Sequence, residues 1–169
     1  IKADDYEENR NFFLGQYFHD NYEPALANLP IINAQVNLTR VEVWITNRTG
    51  ATQGVRDILS FMDLGEKKPY VPTFTDPGSL ALPDNRANHL YDLLSQNPGT
   101  RLQSTATQTA LGMGLRDGQD FQRSTMRQLS PTEFTFQSQL GFISLNTQVN
   151  PDDILAVAYR FNYHGKTYQ

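Results

Sequence analysis

Apolar and polar side chains alternate most regularly between Val36 and Gly50, VNLTRVEVWITNRTG. Val41, Val43 and Ile45 fall on one side, and Arg40, Glu42, Trp44 and Thr46 on the other. That period of two predicts a half-buried strand. Its Trp44 shares the polar side with Glu42 and Thr46, so a helix or a neighbouring domain is expected to cover that side only in part. Asn47 to Gly50 supply a polar, turn-forming end. The same alternation returns near the end of the chain, where Leu155, Val157, Tyr159, Phe161 and Tyr163 oppose Ala156, Ala158, Arg160 and Asn162. This is the clearest core face in the sequence. Pro151-Asp152-Asp153 introduces it, and His164-Gly165 should turn it into a closing strand that begins at Lys166. Further strands are expected at Phe121 to Leu129, Glu133 to Gln137 and Leu140 to Leu145. In Val55 to Glu66 helical and strand periods compete, and the strand is preferred.

The remaining segments break the alternation. Residues 1–10 are polar and aperiodic, a loose lead-in. Asn11 to Phe18 packs aromatic residues closely, which suits a strand or core rim with Gly15 as a bulge. Asp20 is then placed to cap a short helix through Ala27, ended by Pro30. Pro69, Pro72 and Pro77 make Gly65 to Gly78 a loop. Asp84 or Asn85 is expected to cap a helix containing Leu90, Leu93 and Leu94, stopped by Pro98-Gly99. A second helix, Gln103 to Leu115, is weakened by Gly112 and Gly114. Strands at both ends with helices between them predict an α+β class: a mainly antiparallel, β-sandwich-like single domain over 1–169 with a two-helix insertion at 84–116.

Composition narrows the functional classes. With 38% hydrophobic and 19% charged residues the chain is suited to a folded core rather than to disorder. Its 14 basic residues are scattered and its net charge is −4, so no nucleic-acid surface is expected. No apolar run approaches the ~20 residues of a membrane helix, and no signal-peptide pattern occurs. Beginning at Ile1 without Met and stopping at Gln169 inside a strand pattern, the chain reads as a piece of something larger.

Candidate chemistry is sparse. The chain has no cysteine, which removes disulfides and thiol nucleophiles. His19, His89 and His164 lack a second ligand type at metal spacing, and Asp117-Gly118-Gln119-Asp120 is only a fragment of a calcium loop. Glu7-Glu8 and Asp152-Asp153 are neighbours that would point to opposite faces of a strand, so neither pair flanks one glycosidic bond. Phosphate-loop, dinucleotide and nucleophile-elbow motifs are missing. Asn37-Leu38-Thr39 and Asn47-Arg48-Thr49 match the glycosylation pattern, which is short enough to arise by chance. Tyr17, Trp44, Tyr70 and Tyr163 are candidates for sugar stacking, with core and rim packing the plainer reading. No catalytic residue, cofactor or metal is expected. The residues proposed for an interaction surface are Trp44, Glu42, Arg40 and Tyr17.

Five segments taken in order carry a resemblance: NRNFFLGQYFHDNYEPALANLP (Asn9 to Pro30), VNLTRVEVWITNRTG (Val36 to Gly50), ILSFMDLGE (Ile58 to Glu66), RQLSPTEFTFQSQLGFISLN (Arg127 to Asn146) and DDILAVAYRFNYHGKTYQ (Asp152 to Gln169). They resemble a soluble, N-terminal-type domain of the SprA/Sov proteins of Bacteroidetes, weakest across Tyr70 to Gln119. His19 and Phe134 stand where that pattern leads one to expect Arg and Tyr. The resemblance implies a parent that is a large outer-membrane β-barrel, the translocon of the type IX secretion system, required for protein export and gliding motility. It implies no catalytic residues. This segment lacks the lipid-facing alternation of barrel strands, so it would be a water-exposed domain on the periplasmic or cell-surface side. Its partners would be other domains of the parent barrel, accessory translocon subunits and exported cargo proteins. The rival reading is a carbohydrate-binding surface module.

Overall fold

The structure is a computed structural model that describes residues 9–67 and 82–168. The class is α+β, and the described residues form two antiparallel sheets of three and five strands with no closed barrel among them. The chain forms two compact units, one joining the residues up to Ile45 with those from Gln128 onward, the other Thr46–Arg127.

In the first unit, β1 (Asn11–Phe13), β6 (Phe142–Leu145) and β5 (Phe134–Gln137) form the three-stranded sheet, with β6 in the centre. Phe12 and Phe136 both lie opposite Ile143, which is fully buried. β2 (Asn37–Thr46) pairs antiparallel with β7 (Leu155–Tyr163), and β7 with β8 (Lys166–Tyr168). The β2–β7 register slips between Leu38 and Arg40, so β2 carries an irregularity near its start. Along β7 the alternation is as expected, yet only Phe161 is wholly buried, while Val157, Tyr159 and Tyr163 are half-buried. Phe161 stacks on Tyr168 of the closing strand at 5.4 Å.

One expectation fails here. The aromatic run is a strand only as far as Phe13, and α1 spans Gln16–Leu26. Gly15 is therefore no bulge: its extended backbone ends the strand segment, and its carbonyl accepts the amides of Phe18 and His19 at 3.2 and 3.3 Å. The helix starts ahead of Asp20, which caps nothing. The physical reason is a second periodicity hidden in the run, because Phe18, Tyr22 and Ala25 recur at helical spacing and turn one stripe inward. Pro24 lies inside the last turn, and the helix ends at Ala27 before Pro30 is reached.

In the second unit, β3 (Val55–Phe61) and β4 (Phe121–Gln128) pair antiparallel from Val55–Arg127 to Phe61–Phe121. The strand preferred for the ambiguous segment is thus the one formed. Two helices accompany it, α2 (Leu90–Gln96) and α3 (Ala106–Gly112), joined by a 3-10 turn at Pro98–Arg101. Leu90, Leu94, Ala110, Leu115 and Phe121 make one buried cluster, with Leu59, Phe61 and Met113 packed against it. The start of α2 differs from expectation: its N-cap is His89, with no side-chain cap bond, and just before it the Asn88 carboxamide oxygen accepts the Leu90 amide at 2.8 Å, while its nitrogen donates to the carbonyls of Asp63 and Glu66. Asp84 instead holds the Arg86 backbone and guanidinium. α3 is shorter than Gln103 to Leu115. Gly114, at φ +87°, ends it in a Schellman turn, with the Leu115 amide on the Ala110 carbonyl and the Gly114 amide on that of Leu111. Tyr70, Glu7-Glu8 and nearly all of the expected proline-rich loop lie outside the described residues.

Candidate recognition cleft

The residues singled out from sequence do not gather in one place. Trp44 is buried, 8% exposed, so its ring is no part of an open surface, while Arg40 on the same side is exposed and Glu42 and Thr46 are half-buried, so the cover of that side is partial. Its register partner on β7 is Ala156, and Glu42 faces Ala158; these small side chains leave the space that large neighbours on β2 occupy. Arg40 and Glu42 pair with each other along the strand. Of the four, Tyr17 lines a cavity.

That cavity lies in the first unit and has a volume of about 150 Å³. One wall is α1, on which Tyr17, Asn21 and Pro24 form one stripe and Phe18, Tyr22 and Ala25 the next. The second wall is the irregular segment Asn33, Ala34, Gln35 and Val36, and the third is the β5–β6 turn at Gln139 and Leu140. Three backbone bonds hold the walls together: Asn33 donates to the Ala25 carbonyl, Leu38 to Ser138 and Leu14 to Gly141, at 2.9, 2.7 and 2.9 Å. Gly141 is what lets α1 approach. It sits at φ +66° with the Phe18 ring where a Cβ would be, so any side chain there would displace the helix.

The lining contains carboxamides, phenols and apolar groups, and no carboxylate, imidazole, ammonium or guanidinium. Asn21 donates its amide to the Tyr17 carbonyl at 2.8 Å. Among the described residues the carboxamides of Asn33, Gln35 and Gln139 have no protein partner, and neither have the hydroxyls of Tyr17 and Tyr22. Burial, and secondarily the nearby Tyr163 phenol, raises the Tyr17 pKa above its ordinary value, so the hydroxyl keeps its proton as a donor. Beside the cleft, Phe13 makes edge contacts with His19, Tyr22 and Phe142, which fixes the Tyr22 ring from behind. Sequence reasoning found Tyr17 and missed the amides, because Asn and Gln on a surface carry no signal until a fold makes them converge.

Elsewhere several polar and ionisable groups hold turns. Asp120 accepts the Arg116 amide, Nε and Nη2, locking the turn that had suggested a calcium loop. These bonds lower its pKa against the opposing effect of burial. Asp153 accepts the amide and side chain of Asn150, closing the turn before β7. The Asn47 carboxamide is tied to Ala51 through both its atoms. No group of three or more metal-ligating side chains occurs among the described residues.

Comparison with protein-family models and with curated proteins finds no match. Among the described residues no helix is long and apolar enough to cross a membrane.

Proposed function

We propose that this chain is a non-enzymatic, water-exposed contact domain of the outer-membrane translocon of the type IX secretion system, supporting protein export and gliding motility. The five ordered segments that resemble the SprA/Sov family support the translocon part. The observation that favours contact over catalysis is the cleft lining, which offers hydrogen bonds and rings but no group that exchanges protons near neutral pH. Partners in this reading are the parent barrel, its accessory subunits and exported cargo.

The test is removal of the equivalent region from the parent, with cargo measured in the culture medium and parent abundance in the outer membrane. Export falls while abundance holds. Unchanged export at normal abundance overturns the proposal.

A carbohydrate-binding module is the second reading, favoured by Tyr17 and Tyr22 beside unpartnered carboxamides. Buried Trp44 can no longer serve as its platform. Binding of a neutral oligosaccharide that is lost on Tyr22→Ala, with the fold intact, would promote it.

A further inference from the structure

The cleft wall carries a feature that an ordinary surface hollow lacks. Asn33 gives its backbone amide to Ala25, and Leu38 gives its own to Ser138, but between them Ala34, Gln35 and Val36 make no hydrogen bond to any described residue. Of these, Ala34 is half-buried and Gln35 exposed at the cavity, while Val36 is buried. Such a stretch is a ready template for another chain, since a peptide backbone brings one donor and one acceptor per residue.

From this we infer that the cleft binds an uncharged, extended polypeptide segment, whose backbone pairs with Ala34 and Gln35 and one of whose apolar side chains enters the cavity. The inference rests on the reading of the domain as a contact module and deepens it by naming the ligand class.

Three further observations point the same way. The lining is neutral, so a Lys, Arg, Asp or Glu side chain would lose its hydration with no opposite charge to meet it. Asn33, Gln35 and Gln139 each present a donor and an acceptor, the pair a backbone amide needs on its second edge. The volume of about 150 Å³ suits a single apolar side chain rather than a folded surface. In the same loop, Leu29 and Ile31 stand 66% and 70% exposed, a ledge on which a second apolar side chain of the segment would rest.

The experiment uses the whole 169-residue chain and an array of decapeptides built from Gly, Ala, Val, Leu, Ser, Thr, Asn and Gln. A matched array carries Lys or Glu at every second position, and a panel of neutral oligosaccharides is run beside it. The uncharged peptides bind and the charged ones do not. Methylating alternate backbone nitrogens of the tightest peptide, on one edge only, weakens it at least ~10-fold, while methylating the other edge has little effect. Combined Asn33→Ala and Gln139→Ala weakens it by about 10-fold with an unchanged thermal midpoint, because both side chains are exposed. No binding by any peptide, binding indifferent to backbone methylation, or binding of an oligosaccharide alone overturns the inference. The two tests fail separately: export that stops on deletion while no peptide binds removes only this inference, and peptide binding with normal export removes only the translocon reading.

Discussion

At the scale of single residues, Gly141 and Phe18 are one unit. Alanine at Gly141 forces a side chain into left-handed backbone, about 1 kcal/mol, and drives a methyl into the Phe18 ring, about 1–3 kcal/mol more. Urea denaturation of Gly141→Ala should therefore show a loss of about 2–4 kcal/mol. Phe18→Ala alone should cost about 3–5 kcal/mol, since the ring is buried. The double variant should fall short of the sum by about 1–3 kcal/mol, because the collision vanishes with the ring. Strict additivity would mean that the two residues do not meet. Asp57 offers a pH test. Its carboxylate accepts from the Thr125 hydroxyl, the Gln103 amide and the Arg123 guanidinium, and these bonds bring its pKa from the ordinary 3.8 down to about 2. A depressed folded-state pKa adds stability that is complete above the unfolded value of 3.8 and is lost as pH falls through about 2. The thermal midpoint gap between the native chain and Asp57→Asn should hold from pH 7 to pH 4 and narrow between pH 4 and pH 2. A gap that widens on acidification would contradict this assignment.

At the scale of elements, α3 contains a direct comparison. Gly112 is its last residue, with nothing near a built Cβ, whereas Gly114 holds the positive φ of the Schellman turn. Gly112→Ala should stabilise by about 0.5–1 kcal/mol, and Gly114→Ala should destabilise by about 1 kcal/mol, both read from denaturation midpoints. Equal signs would show that the turn is not formed. The elements also show where sequence reading succeeds. β7 was visible because alternation repeats over its 9 residues, and β2 because it holds from Arg40 to Thr46, long enough to dominate a rival period. α1 was misplaced because its aromatic residues satisfy the two periods at once over a short stretch, and only packing against the β5–β6 turn selects between them. The α2 cap was misassigned for a related reason. Asp84, Asn85 and Asn88 are all competent cap residues by type, yet the N-cap is His89, and Asn88 holds the residue before it because its amide nitrogen bridges two carbonyls that follow β3.

At the scale of the whole molecule, the exposed pair Leu29 and Ile31 carries the functional prediction. Replacing both by Ser should change stability by no more than about 0.5 kcal/mol, since neither is buried. In the parent, the same change should lower export to the medium at normal parent abundance. Export equal to that of the native protein would remove this ledge from the contact surface. The candidate site was legible only through Tyr17. Trp44 drew notice as a lone indole on a polar strand face, yet the sequence spacing held no information about the small alanines that β7 places opposite it.

The order of apolar and polar residues by itself determined the α+β class and most strand positions, because each follows from local periodicity. Which face of β2 is covered, where α1 begins and which amides converge on Tyr17 were decided by tertiary structure alone. Those outcomes depend on residues more than a hundred positions apart, such as Phe18 and Gly141, whose fit is a matter of volume in space and leaves no period along the chain.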